Sequence, residues 1–145
     1  MKKSDSGSTA DTSPWGSVTR LRVRYGETDA MGWVYYANYY LYFEVARADL
    51  IRKVWKSYRQ MEDEGFKMPV TESACKYIKG ARYDDEIDVY CRLSFPSPLR
   101  MRFDYEIQTP DKTTLVIGHT QHCFVDDLGR PIRIPEDLYS TLSGS

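Results

Sequence analysis

The sequence predicts a single α+β domain in which one long helix packs against an antiparallel sheet. Three observations lead to this fold class: a strand-like alternation near the N-terminus, a long helical stripe after it, and four strand-like segments in the second half. A helix with one apolar stripe must bury that stripe, and a curved antiparallel sheet offers a matching face. The 145 residues are about the length of one domain, so no second domain is expected.

The N-terminal region divides into a leader and the first strand. Residues 1–15 are mostly Ser, Thr, Gly, Asp and Lys, which predicts a flexible leader, and the folded domain is expected to span 16–145. The first strand starts near Val18, where apolar and basic residues alternate with the period of a half-buried strand. The apolar positions are Leu21, Val23 and Tyr25, and the basic positions are Arg20, Arg22 and Arg24.

A long helix is predicted after a glycine-containing loop. Asn38 is a suitable N-cap residue, because its side chain can accept a hydrogen bond from a free amide in the first turn. Apolar residues then recur at steps of three and four, and basic residues in the final turns suit the helix dipole. The apolar stripe consists of Tyr39, Phe43, Ala46, Leu50 and Val54.

Four further strands and a short closing helix are predicted in the second half. Proline-containing turns separate the last three strand segments, so antiparallel pairing of these consecutive strands is the economical connection. The last strand has apolar residues on both faces, as expected for a central or an interface strand. The strand segments are 68–79, 87–93, 101–108 and 115–125, and the closing helix spans 135–142.

Composition and charge argue against several classes of protein. The net charge is −1, so no basic excess points to nucleic acid. A membrane-spanning helix needs about 20 apolar residues, and since the chain has no such run, we expect no membrane insertion. No apolar stretch follows Lys2 and Lys3, which argues against a signal peptide. The three cysteines form no Cys-x-x-Cys pair, so we expect a reducing compartment, the cytoplasm.

Asp29 is the candidate catalytic residue. It lies between Gly26 and Gly32, in the loop that leads to the start of the long helix. Free amides at a helix N-terminus carry partial positive charge and can stabilise a developing oxyanion. A carboxylate beside such amides is sufficient for acyl transfer, because it can act either as a nucleophile or as a general base. Aspartate is also common in such loops as a turn-capping residue, and the spacing alone leaves both roles open.

The segment 25–47 resembles a known family signature. It reads YGETDAMGWVYYANYYLYFEVAR. In this segment the chain is similar to the 4-hydroxybenzoyl-CoA thioesterase family, which includes the short-chain acyl-CoA thioesterases associated with bacterial Tol-Pal clusters. Weaker matches at 83–85 and 125–131 extend the resemblance over about 18–135. The matching positions in the first segment are Tyr25, Thr28, Asp29, Gly32, Val34, Tyr35, Asn38, Tyr39, Phe43, Glu44 and Arg47.

The resemblance implies a fold, a reaction and a site. The fold would be a hotdog, a five-stranded sheet wrapped around the long helix. The substrate would be an acyl-CoA thioester, hydrolysed without a metal or another cofactor, with Asp29 as the catalytic carboxylate and the backbone amide of Tyr36 as an oxyanion donor. Two protomers would join their sheets with the active site at their interface, and tetramers are common in the family. The residues expected to contact the substrate are Tyr25, Gly32, Trp33, Val34, Asn38 and Tyr39.

One departure from the family pattern affects the acyl group. Tyr36 stands where many members carry histidine, so no imidazole acid or base is available there and the acyl group stays open. Two alternatives share the fold. A hydratase or dehydratase normally needs a histidine beside a carboxylate, and no histidine lies near the helix start in sequence. A non-catalytic module that binds acyl-CoA or acyl-carrier protein has no need of a catalytic Asp29.

Other motifs argue against further classes of enzyme. His119 and His122 form an H-x-x-H motif, but a step of three along a strand sends the two side chains to opposite faces, which disfavours a shared metal. The chain has no G-x-S-x-G, G-x-G-x-x-G or Walker motif. Several basic residues could contact CoA phosphates, and the sequence does not choose among Arg20, Arg22, Arg24, Lys76, Lys79, Arg82, Arg100 and Arg102.

Overall fold

The computed structural model describes residues 15–143, and its main element is a five-stranded antiparallel sheet. The strands are β1 (Ser17–Arg22), β2 (Val70–Tyr77), β3 (Glu86–Ser97), β4 (Arg100–Gln108) and β5 (Thr114–His122). Their spatial order is β1-β3-β4-β5-β2. A two-stranded ribbon follows the sheet, formed by β6 (Phe124–Val125) and β7 (Pro131–Ile132). The helices are α1 (Tyr39–Val54), α2 (Tyr58–Asp63) and α3 (Glu136–Ser143).

Helix α1 buries its apolar stripe against one face of the sheet. The ring of Phe43 lies flat on that of Tyr105 in β4, with centroids 4.2 Å apart and planes 5° apart. Gly118 in β5 makes room for this stack, because a Cβ atom there would lie 2.7 Å from the Phe43 ring. The expected arrangement of five strands around one long helix is confirmed. The predicted stripe is also confirmed: Tyr39, Phe43, Ala46 and Leu50 are buried, and Val54 is half-buried.

The predicted antiparallel pairing of the last three strands is confirmed. Strands β3, β4 and β5 pair in sequence order, but β1 pairs with β3 and β2 pairs with β5, so β1 and β2 form the two edges. The last predicted strand, 115–125, also ends early, because Phe124 pairs with Ile132 in the ribbon instead of continuing β5. Alternation places a residue on a face of a strand but does not encode which strand lies beside it.

Strand β2 is an exposed edge. It pairs with β5 on one side, and every residue of β2 is exposed except Cys75, which is half-buried. A row of unpaired backbone groups at an edge is a surface on which another strand can add.

Two further expectations concern the ends of the chain and the membrane. The predicted leader, 1–15, lies outside the described residues except for Trp15, whose ring lies 6.0 Å from that of Tyr90 and 4.8 Å from the Arg92 guanidinium. Within residues 15–143, no helix has the length and apolar character needed to cross a membrane.

Candidate active site

The segment between β1 and α1 folds back on itself as a narrow hairpin. Thr28 and Val34 form a β-bridge, the Asp29 amide donates to the Trp33 carbonyl (2.7 Å), and the Tyr35 amide donates to the Glu27 carbonyl (2.9 Å). These pairings place Asp29 at the tip of the hairpin. They also align Tyr35, the last residue before the helical turn, with the base of the same hairpin.

Asp29 stabilises the turn at that tip. The Gly32 amide donates to the Asp29 carbonyl at 2.9 Å, and Gly32 has a φ of +86°, a conformation that favours glycine. The Oδ1 atom of Asp29 accepts hydrogen bonds from the amides of Met31 (3.0 Å) and Trp33 (3.1 Å). The carboxylate is half-exposed, and its Oδ2 atom has no hydrogen-bond or ion-pair partner among residues 15–143. The carboxylate therefore caps the turn with one oxygen and keeps the other available.

The helix begins with a short 3₁₀ turn, Tyr36–Asn38, directly before α1. The Asn38 amide donates to the Tyr35 carbonyl (2.8 Å), whereas the amides of Tyr36 and Ala37 have no acceptor in the described part of the chain. These are the unpaired donors that the first turn of a helix leaves free. Tyr36 is 60% exposed, so this first turn lies at the surface of the chain.

Two side chains hold the hairpin against the helix. The Asn38 side-chain amide donates to the Glu27 carbonyl (2.9 Å), and the Tyr42 hydroxyl donates to the Glu27 carboxylate (2.9 Å). Burial opposes the charge of Glu27, but hydrogen bonds from the Arg24 amide and the Tyr42 hydroxyl outweigh it and lower the pKa of that carboxyl. Asn38 precedes α1 as predicted, but the predicted cap is wrong: its side chain makes no cap hydrogen bond, because it is bound to Glu27.

The structure brings together some of the predicted substrate contacts. Tyr25, Gly32 and Asp29 line a groove together with Tyr83, whose ring lies edge-on to that of Tyr25 at 5.7 Å. Sequence reasoning did not include Tyr83 among the site residues, although the weaker family match at 83–85 was the signal for it. The groove is therefore lined by two exposed tyrosines and one carboxylate.

Other predicted contacts lie beneath this surface. Val34 is 4% exposed and Tyr39 is 3% exposed, so in a single chain neither offers much surface to a ligand. The Tyr39 hydroxyl accepts a hydrogen bond from the Ala81 amide (3.0 Å). Trp33 is partly exposed, and the Arg82 guanidinium lies 4.2 Å from its ring centroid. Gly80 allows this packing, since a Cβ atom there would lie 2.7 Å from the indole.

Two of the candidate CoA contacts on β1 have other partners. Arg20 forms a two-pronged ion pair with Asp88 (2.8 and 3.0 Å). Arg22 lies 3.3 Å from a carboxylate oxygen of Glu86 and also donates to the Asp84 carbonyl (2.7 Å). These arginines hold β1 to its neighbour and are less available to phosphate groups than an unpaired cation would be.

The two histidines lie on opposite faces of β5, as the step of three predicts. His119 is on the outer face, with Nε2 2.7 Å from the Glu72 carboxylate. His122 is buried and bonds to the Thr120 hydroxyl (2.9 Å). Neither contact involves the hairpin that carries Asp29.

The arrangement at the hairpin is suited to acyl transfer. Trp33 faces Asp29 across the hairpin, and Tyr36 lies three residues beyond Trp33, which is about 10 Å of extended chain. The hairpin therefore carries, close together in the chain, the two groups that acyl transfer uses: a carboxylate and free amide donors.

Comparisons with protein families and with individual proteins agree on one family of thioesterases. The family model described as thioesterase-like superfamily matches residues 23–142. The acyl-CoA thioester hydrolase YbgC of Escherichia coli is 27% identical over 119 residues, which cover 81% of this chain and 89% of that protein.

Solved structures are similar over most of the chain. The DHNA-CoA thioesterase of Staphylococcus aureus is 35% identical with a TM-score of 0.82, covering 88% of this chain and 89% of that one. A protein of Aquifex aeolicus is 32% identical with a TM-score of 0.81, covering 87% of this chain and 98% of that one.

Proposed function

The chain belongs to the thioesterase-like superfamily and is a thioester hydrolase with the hotdog fold, and from this premise we propose that it hydrolyses acyl-CoA with Asp29 as the catalytic carboxylate. The observation that carries the proposal is the pairing of two features on one hairpin. These features are a carboxylate oxygen of Asp29 with no partner, and the amides of Tyr36 and Ala37 with no acceptor, all within residues 15–143.

In the proposed reaction the thioester carbonyl lies between Asp29 and the helix start. The carboxylate either attacks the carbonyl carbon, forming a mixed anhydride that water then cleaves, or removes a proton from an attacking water. The Tyr36 amide donates to the oxygen that becomes negative in the tetrahedral intermediate. The C–S bond breaks and CoA leaves as a thiolate, which is a good leaving group, so the scheme needs no strong acid at Tyr36 and no metal or redox group.

Self-association through β2 is part of the proposal. The edge of β2 carries only two charged side chains, Glu72 and Lys76, and both are exposed. A second copy placed antiparallel about a two-fold axis at Ala74 sets each Glu72 opposite the partner's Lys76, which is a favourable cross-strand pair. Exposed apolar side chains flank this edge, among them Val70, Tyr77 and Ile78. Light scattering on the purified protein should therefore give at least twice the mass of one chain.

Release of free thiol from acyl-CoA tests the function. The panel should contain short aliphatic, hydroxylated and aromatic acyl groups, with the thiol detected by a disulfide reagent that reports CoA. We expect release from at least one class, abolished by Asp29→Asn. Tight binding of acyl-CoA without thiol release would contradict the proposal and favour a binding module.

A further inference from the structure

Glu27 lies on the first strand of the hairpin, two residues before Asp29. Its side chain is only 14% exposed, and a carboxylate with so little contact to water needs hydrogen-bond donors from the protein. Oε1 accepts from the Tyr42 hydroxyl and the Arg24 amide (both 2.9 Å), and Oε2 accepts from Arg24 Nε (3.1 Å). Both oxygens of Glu27 are therefore bound to the protein's own donors, whereas Asp29 keeps one oxygen available.

The backbone carbonyl of Glu27 makes two further contacts. It accepts from the Tyr35 amide, which closes the base of the hairpin, and from the Asn38 side chain, at the start of α1 (2.9 Å each). Tyr42 lies four residues beyond Asn38, which is about one turn further along the helix. Glu27 thus contacts the helix at two places, once through its main chain and once through its side chain.

The two contacts restrict the hairpin in different ways. The bonds from Tyr35 and Asn38 meet at one carbonyl oxygen, and contacts at a single atom allow the hairpin to pivot about it. The bond between the Glu27 carboxylate and Tyr42 lies at a separate point and opposes that rotation. The hydroxyl of Tyr42 is held in place, because the residue is 4% exposed and its ring packs edge-on against that of Tyr39, with centroids 5.9 Å apart.

This restriction matters because the two proposed reactive groups belong to different elements. Asp29 is part of the hairpin, and the free amide of Tyr36 is part of the helix start. Acyl transfer needs both groups placed against one carbonyl, and a misplacement of about 1 Å can lower a rate about a hundredfold. A rotation of the hairpin against the helix therefore misaligns the carboxylate and the oxyanion donor without removing either group.

We propose that Glu27 is a positioning residue, which holds the Asp29 hairpin at a fixed angle to the oxyanion amide of Tyr36 through its hydrogen bond with Tyr42. The inference rests on the proposed thioesterase function. Glu27 does not touch the thioester in this scheme, because both of its carboxylate oxygens are engaged. It acts through the placement of Asp29.

Tyr42→Phe tests the contact with the least change to the fold. Phenylalanine keeps the buried ring and loses only the hydroxyl that binds Glu27. We expect kcat for thiol release to fall about tenfold and KM to stay within about twofold, because both reactive groups remain and only their alignment is lost.

Thr19→Val is the matched control for the loss of a hydrogen bond to the same helix. The Thr19 hydroxyl donates to the Asp49 carboxylate (2.8 Å) and joins β1 to α1, seven residues further along the helix than Tyr42. Valine has the shape of threonine without the hydroxyl, so this variant should lose stability to a similar extent and keep the native kcat. If Tyr42→Phe and Thr19→Val have the same kcat, the contact with Glu27 has no special effect on the reaction and the proposal is wrong.

A double-mutant cycle with Tyr36→Pro separates alignment from stability. Proline removes the oxyanion amide, so misalignment with that amide has no further cost. Tyr42→Phe should then lower kcat by less than about twofold, against about tenfold in the native background. A smaller folded fraction lowers activity by the same factor in both backgrounds, so equal factors would show a purely structural role and overturn the proposal.

Two substitutions at Glu27 distinguish positioning from direct participation in the chemistry. Glu27→Gln removes the charge but keeps an acceptor for the Tyr42 hydroxyl, whereas Glu27→Ala removes the acceptor. We expect Glu27→Gln to keep kcat within about threefold of the native value and Glu27→Ala to lose at least as much as Tyr42→Phe. If Glu27→Gln is as inactive as Asp29→Asn, Glu27 takes part in the reaction itself and the positioning role is wrong.

The failure of this inference can be told apart from the failure of the proposed function. If the native protein releases no thiol from any acyl-CoA, the proposed function is wrong and the positioning role falls with it. If the native protein and Tyr42→Phe release thiol at the same rate, the function stands and Glu27 is not a positioning residue.

Discussion

Two turns of the molecule, one at Asp29 and one at Asp126, have the same local structure. In each, the aspartate is followed three residues later by a glycine at positive φ, +86° for Gly32 and +81° for Gly129. The glycine amide donates to the aspartate carbonyl, and the aspartate amide donates to the carbonyl four residues on. In each, Oδ1 accepts two backbone hydrogen bonds. The donors are Met31 and Trp33 in the first turn and Leu128 and Arg130 in the second.

The two turns differ in the second carboxylate oxygen and in the element to which each turn leads. Oδ2 of Asp126 accepts a hydrogen bond from the Arg130 guanidinium (3.0 Å), and that turn only joins β6 to β7. Oδ2 of Asp29 has no such partner within residues 15–143, and its turn leads to the free amides at the start of α1. The turn itself is therefore structural in both places. The catalytic proposal depends on the free oxygen and on the neighbouring helix start.

Removing the charge of each aspartate should give the largest contrast. Asparagine keeps an Oδ1 acceptor, so Asp29→Asn and Asp126→Asn should both preserve their turns, and Asp126→Asn should lower the melting temperature slightly because it loses the ion pair with Arg130. We expect Asp29→Asn to lower kcat for thiol release by at least about a thousandfold, because it removes the proposed nucleophile or base. Asp126→Asn should stay within about twofold of the native value, as surface changes usually do. If the two variants have equal activity with the same acyl-CoA, Asp29 has no catalytic role that Asp126 lacks, and the proposal is wrong.

Removing the Tyr36 amide should have the next largest effect. Proline lacks the N–H group and is tolerated in the first turn of a helix. The preceding Tyr35 is already extended, with ψ of 129°, as a residue before proline requires. Tyr36→Pro should therefore keep the fold and lower kcat about a hundredfold, the usual cost of one oxyanion donor. Tyr36→Ala keeps the amide and is the control; if both variants lose the same activity, the side chain is what matters.

Adding a methyl group to each glycine separates turn stability from function. Both glycines have positive φ, so Gly32→Ala and Gly129→Ala should each lower the free energy of unfolding by about 1 kcal/mol. At Gly129 nothing lies within 4 Å of the new Cβ, whereas at Gly32 it would meet the Arg82 guanidinium at 3.2 Å. Urea unfolding should give similar losses, and kinetics should show reduced activity only for Gly32→Ala. If Gly129→Ala also reduces activity, the turn at Asp29 is not functionally different from the turn at Asp126.

The smallest expected effect concerns Arg130. The amide and side chain of Arg130, together with the Leu128 amide, lower the pKa of the Asp126 carboxyl despite its partial desolvation. A lowered pKa means that stabilisation by Asp126 is present at neutral pH and is lost as pH falls through the folded-state value. Arg130→Ala removes only the guanidinium, so the pKa should rise partway and this loss should begin at a slightly higher pH. Carbon NMR titration of the carboxyl measures the shift, and thiol release should not change.

Most elements of the fold could be predicted because their patterns are local. The stripe through Phe43 and Leu50 predicts a helix whatever the rest of the chain does, and the step from His119 to His122 places those side chains on opposite faces of any strand. The segment around Asp29 was likewise predictable as a glycine-closed turn before a helix. The Asn38 cap was wrong for a non-local reason, since Glu27 of the hairpin takes its side chain.

The sequence by itself determined most of the secondary structure, the family resemblance and the identity of Asp29 as a candidate. Only the tertiary structure decided which of two identical turns keeps a free carboxylate oxygen, because that depends on whether a cation such as Arg130 folds back onto it. Tertiary structure also decided that β2 is an exposed edge. Periodicity records which face a residue occupies, whereas strand order, edges and cavities arise from packing between segments that are distant in sequence.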